Sequence, residues 1–191
     1  MNIAKSRADA GDDPEVFPVT VLEAEDSRVF NIFIFKAIEE PTQFIGAIEA
    51  FLTATEKDHV IVHLSTPGGC MDSTDTFLNA LKSCRAPVTF IATGGCHSAG
   101  TMILMHADDV HFSDGFNALV HCGSTGSGGT TAEYRAASKF NITLMEKALA
   151  SCYKGFMTDD EIQSLLEGKD FWFNAEEFKE RHAKRVAFLQ Q

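Results

Sequence analysis

The sequence predicts an α/β domain built on a mainly parallel sheet. Short β-branched runs such as Val60-Ile61-Val62 alternate with segments whose apolar residues recur at helical spacing. Glycine and proline cluster where those runs end, as turn signals do. With 191 residues, 45% of them apolar, the chain is long enough to bury a real core.

Along the chain, residues 1–17, rich in Asp, Gly and Pro, are expected to form a flexible segment ahead of a single domain over 18–191. Val29 to Phe35 alternates and predicts a strand. Phe44, Ile45, Ile48, Phe51 and Leu52 predict a helix, and His59 to Leu64 a second strand ending in Ser65-Thr66-Pro67-Gly68-Gly69. Met71, Thr74, Leu78 and Leu81 mark one face of the next helix, which should stop near Arg85-Ala86-Pro87.

Val88 to Ala92 predicts a third buried strand, succeeded by Gly94-Gly95, and Ser98 to Ala107 a compact helix. Val110 to Phe112 and Ala118 to Val120 are brief strands, and Thr131 to Phe156 has the length of a long helix. Thr158 with Glu161, and Asn174 with Glu177, have capping-box spacing and predict two more helix starts. Gly168 can end the first of these helices, which leaves Asp170 in a short link where a side chain can be aimed inward.

Composition removes several functions. A net charge of −11 argues against phosphate recognition, so no nucleic-acid partner is expected. No run approaches the roughly 18–20 apolar residues of a membrane span, and the first residues lack the apolar stretch of a signal peptide. Five cysteines, odd in number and without a Cys-x-x-Cys pair, fit a reducing cytoplasm better than a disulfide framework. Seven histidines form no His-Glu-x-x-His, and the His-x-x-x-His pair, His59 and His63, falls on a run that predicts a strand rather than a helix, so no metal site is expected.

The chemistry centres on Gly94-Gly95-Cys96-His97-Ser98-Ala99-Gly100, where a buried strand runs through small residues into a helix. Small neighbours let a substrate backbone reach the Ser98 hydroxyl, and the Ala99 amide can face developing negative charge. The plainer alternative is Ser98 as a helix N-cap. Gly69 can present a second amide without a side chain in the way, or simply belong to a loop. His121, directly after a strand, is a general base or a satisfied rim histidine. A serine nucleophile needs such a base, and the base needs an orienting acid. Asp72, Asp108, Asp109, Asp114 and Asp170 are all candidates by position.

These pieces, in this order, resemble the ClpP family, the proteolytic subunit of ATP-dependent Clp proteases. Ser65-Thr66-Pro67-Gly68-Gly69 is similar to the family's Asn-Ser-Pro-Gly-Gly, and Cys96-His97-Ser98-Ala99-Gly100 to its Ala-Ala-Ser-Met-Gly. His121 matches the end of its Met-Ile-His strand. Lys169-Asp170-Phe171-Trp172-Phe173-Asn174-Ala175-Glu176-Glu177 resembles its Arg-Asp-x-Phe-Leu-Ser-Ala-x-Glu segment. The resemblance implies a serine endopeptidase with Ser98 as nucleophile, His121 as base, Asp170 as acid, and Gly69 and Ala99 as oxyanion donors.

It also implies a crotonase-like fold of β-β-α-type units with a long handle helix, and stacked heptameric rings of one chain. No cofactor is implied, the substrates are unfolded proteins or peptides, and an AAA+ unfoldase is the implied partner. The departures mark a divergent member, of the kind a virus could carry. His121-Cys122-Gly123 replaces His-Gln-Pro, His97 replaces a small residue, and the last segment lacks Gly-Leu-Ile-Asp. Two other classes remain: an inactive ring or scaffold subunit, and a crotonase-type acyl-CoA enzyme, which would not need the Ser-His-Asp set.

Overall fold

The computed structural model describes residues 16–124, 126 and 129–190. They form seven strands and six α-helices, a mixed α/β fold, and the chain divides into two compact units at Ala118/Leu119. The expected flexible segment lies, up to residue 15, outside the described residues. Phe17 is buried, with its ring 4.9 Å from that of Phe44.

In the first unit β1 (Val19–Glu23) pairs antiparallel with β2 (Arg28–Ile34). β2 then pairs parallel with β3 (His59–Thr66), β3 with β4 (Val88–His97), and β4 with β5 (Asp109–Phe112). Parallel neighbours need crossover connections. Helix α1 (Ile45–Thr53), entered through a 3-10 turn at Pro41–Phe44, supplies the first, and α2 (Met71–Lys82) the second.

Strand periodicity sets the core. Ile32, Ile34, Val60, Val62, Leu64, Phe90 and Ala92 alternate inward and are essentially inaccessible. The rings of Phe44, Phe51 and Phe77 meet edge to face or tilted, at centroid distances of 4.9 and 5.3 Å. Burying one such ring contributes roughly 1.5–3 kcal/mol. The sheet is tied at its far end by Asp58, which is buried. It accepts from the Arg28 amide and guanidinium and from the Thr55 amide and hydroxyl at 2.7–3.3 Å. The Arg28 guanidinium holds its carboxyl well below the usual carboxylate range.

Between Leu64 and Thr66 the register of β3 against β4 shifts: Leu64 faces Ala92, but Thr66 faces Cys96. The two extra residues on β4 fall at Gly94-Gly95, where Gly94 has φ 66°. Such a bulge bends a strand and re-aims the residues beyond it. Those residues lead through His97 to Ser98, and β4 therefore runs past the expected Ala92 to His97.

The boundary between the units falls within β6 (Asn117–Val120). The second unit holds α4 (Thr131–Tyr153), α5 (Asp159–Leu166), β7 (Phe171–Asn174) and α6 (Ala175–Leu189). Capping boxes start all three helices, at Thr130 with Glu133 and at the two expected pairs. Its core gathers Phe156, Phe173 and Phe178, with ring centroids 4.7–6.2 Å apart. Arg181 bonds both Glu161 oxygens at 2.8 Å and lies over the Phe173 ring. α4 ends at Tyr153, before the expected Phe156, because the backbone turns at Gly155, φ 82°. Along α4, Tyr134, Phe140, Ile142 and Leu144 are exposed.

Candidate active site

Ser98 joins the end of β4 to helix α3 (Ala99–Leu104), with φ 54° and ψ −123°. Among the described residues it is the one non-glycine residue with positive φ. These angles mirror the (about −60°, +120°) pair of an ordinary type II turn, a conformation that normally takes glycine. Holding serine there costs on the order of 1–3 kcal/mol, and such strain persists only where the surroundings over-determine it.

They do so here. The Ser98 carbonyl accepts from the Thr101 amide at 2.9 Å, the Thr101 hydroxyl at 2.7 Å and the Met102 amide at 3.3 Å. From the other side Gly68, φ 87°, comes so close that a Cβ on it would sit 2.8 Å from Ser98 Cβ and 2.9 Å from the Ala99 nitrogen. Gly100 is equally confined, since a Cβ there would lie 2.6 Å from Thr66 Cγ2. Ser98 occupies the N-cap position, yet its side chain makes no cap hydrogen bond. The caps Thr130, Thr158 and Asn174 all do. The plain N-cap account of this serine therefore fails. A strained strand-to-helix turn that leaves a half-buried serine hydroxyl free of a cap bond resembles the geometry of a nucleophile elbow.

The Gly68-Gly69 loop is pinned in three places. Thr66 Oγ1 donates to the Lys36 carbonyl at 2.7 Å and accepts from the Gly68 amide at 3.1 Å. The Ile38 amide donates to Gly68 O at 2.8 Å, and the Cys70 amide to Ile38 O at 2.7 Å. Those two bonds flank Gly69, which turns its own N–H to the opposite edge of the segment. No side chain is possible at Gly69, because a Cβ would fall 1.9 Å from the Ile38 carbonyl oxygen. Gly69 and Ala99 both belong to this first unit, with Ser98.

His121 and Asp170 belong to the second unit. His121 comes directly after the last residue of β6 and is half-buried. The segment after it runs beside α4: a Cβ on Gly123 would lie 3.3 Å from Met145 Sδ. Burial and the charge of Glu146 push the Cys122 thiol up. Asp170 is exposed and stands one residue before β7. The link that holds it is set by Gly168, φ 97°, where α5 closes with the Gly168 amide on Leu165 O and the Lys169 amide on Ser164 O, both at 3.0 Å. Among the described residues no hydrogen bond joins His121 to Asp170.

Two contributors are not singled out by the sequence. Thr101 holds the serine carbonyl. Asn117 bonds His97 at 3.0 Å, from Oδ1 to Nε2. Threonine three residues after the serine is a readable signal for the first, while nothing local marks Asn117. Among the described residues no three His, Cys, Asp or Glu side chains group as a metal site, and no helix is long and apolar enough to cross a membrane.

The family model described as Clp protease matches residues 27–181. The ATP-dependent Clp protease proteolytic subunit 3 of Rhizobium etli is 24% identical over 163 residues, which cover 83% of this chain and 83% of that protein. The match takes in both glycine loops, the strained serine and the segments that carry His121 and Asp170: the chain belongs to the Clp protease family.

Proposed function

We propose that the chain is a serine endopeptidase subunit of a self-compartmentalised Clp-type protease. The observation that carries this reading is the backbone of Ser98, held against its conformational preference with the hydroxyl uncommitted to a cap. A merely structural serine gains nothing from such a turn, whereas a nucleophile gains exposure to a carbonyl carbon.

In this reading Ser98 Oγ attacks the scissile peptide carbon while His121 takes its proton. The carbonyl oxygen becomes an oxyanion that accepts from the Gly69 and Ala99 amides. His121 then gives its proton to the leaving amine, the C–N bond breaks, and an acyl-enzyme remains. Water, deprotonated by His121, releases the acid and restores the serine. Asp170 accepts from the other ring nitrogen, orienting the imidazole and stabilising its cation. In this reading that bond forms only in the reacting complex, since catalytic hydrogen bonds are often long or poorly aligned before substrate binds. These steps require no cofactor.

Self-association is supported by the apolar side chains Tyr134, Phe140, Ile142 and Leu144 of α4, which one chain leaves uncovered. The same helix is the handle by which rings of this chain, heptameric in the reading, stack. An AAA+ unfoldase feeding unfolded substrate in the cytoplasm completes it. The testing experiment is fluorophosphonate labelling of the purified protein, read by mass spectrometry. An adduct on Ser98, absent in Ser98→Ala, supports the peptidase; no adduct on assembled protein makes the chain a scaffold subunit instead.

A further inference from the structure

His97 precedes the nucleophile, and its ring is neither part of the core nor solvated at random. The imidazole lies against the backbone of Gly95: a Cβ there would sit 3.2 Å from both Cε1 and Nε2, and 3.8 Å from Asn117 Oδ1. The His97–Asn117 hydrogen bond is therefore laid flat across a glycine that leaves it room. The Asn117 amide nitrogen in turn donates to the Gly115 carbonyl at 3.5 Å, which turns Oδ1 toward the ring. An amide oxygen only accepts, so the imidazole carries its proton on Nε2.

We propose that His97 and Asn117 are a positioning pair for the peptidase reaction, tying the nucleophile turn to the strand that leads to the base. His97 ends β4, one residue before Ser98. Asn117 opens β6, and His121 comes directly after the last residue of that strand. A strand advances about 3.3 Å per residue and is stiff over four residues, so a bond that sets where β6 begins also sets where His121 starts. The bond is exposed and contributes little to stability; its consequence is geometric. Displacing a reacting group by about 1 Å can cost about a hundredfold in rate. This inference rests on the peptidase reading.

The test compares wild type with His97→Phe, which keeps a ring and loses the donor, and His97→Gln, whose amide nitrogen can replace Nε2. Each is assayed for kcat and KM on a short fluorogenic peptide, for the rate of Ser98 labelling, and for thermal stability. His97→Phe is expected to lower kcat and labelling about ten- to a hundredfold with KM within about twofold. His97→Gln should recover most of that loss. Gly95→Ala, which keeps both bonding groups and displaces the ring, should reproduce the Phe phenotype.

Retained kcat in His97→Phe or in Gly95→Ala overturns the proposal. So does a loss that falls in KM, or a Gln variant as slow as Phe. Wild type that labels at Ser98 beside an equally fast Phe variant removes the positioning role alone. Wild type that neither labels nor cleaves removes the peptidase reading and this role with it.

Discussion

The strain at Ser98 predicts that removing this proposed nucleophile can stabilise the protein, provided that glycine is the replacement. Ser98→Ala removes the hydroxyl but leaves a Cβ at φ 54°, ψ −123°. Ser98→Gly removes both. Relief of a backbone held in this region contributes about 1–3 kcal/mol. Against it stands the greater freedom of unfolded glycine, about 0.5–1 kcal/mol relative to alanine. The difference favours Ser98→Gly over Ser98→Ala by about 1 kcal/mol, which for a chain of this size is about 2–4 °C in Tm. The assay is thermal and urea unfolding of the two variants at matched protein concentration, because association shifts apparent stability. Neither variant should take fluorophosphonate. A glycine variant that melts at or below the alanine variant refutes the reasoning, since it would mean that the turn is unstrained.

Asp58→Asn should destabilise the first unit by about 2–3 kcal/mol, below the usual cost of breaking a buried pair because water reaches Arg28. The wild-type carboxyl is depressed on folding, so its stabilisation is complete above about pH 5 and is lost as pH falls through the carboxylate range. Urea midpoints at pH 7 and pH 3 should therefore converge more in Asp58→Asn than in wild type, and an identical acid limb would count against the role given to Asp58. Cys96 is fully buried, and burial pushes its thiol far up. Iodoacetamide should modify the half-buried Cys70, Cys84 and Cys122 in the native state and reach Cys96 only in urea; equal native rates would show that the end of β4 opens.

Much of the architecture is readable along the chain, for local reasons. The central strands carry period-two burial that any fold must place on one inner face, and Thr158 with Glu161 and Asn174 with Glu177 satisfy their own helix ends. β1 escapes a reading of the sequence because Val19–Glu23 is an edge strand with one partner and no fully buried residue, so it bears little of the hydrophobic signal. Phe17, placed in the expected flexible segment, is buried because Phe44, far along the chain, offers it a ring. The strand between Asp170 and α6 likewise reads as a plain link, since four residues after a helix stop carry too little pattern to mark a strand.

The candidate site divides in the same way. Ser98, with small residues around it, and the glycine pair at Gly68-Gly69 are legible, because close approach of a backbone demands residues without side chains. Serine alone predicts a helix cap. The structure denies it that role, through the local clasp of Thr101 on its carbonyl and, from β3 and its loop, the register shift at Gly94 and the close approach of Gly68 to its Cβ. Asn117 opposite His97 has no local signal at all. A hydrogen bond between residues twenty positions apart depends on where two strands lie in space, and the chain alone does not encode that distance.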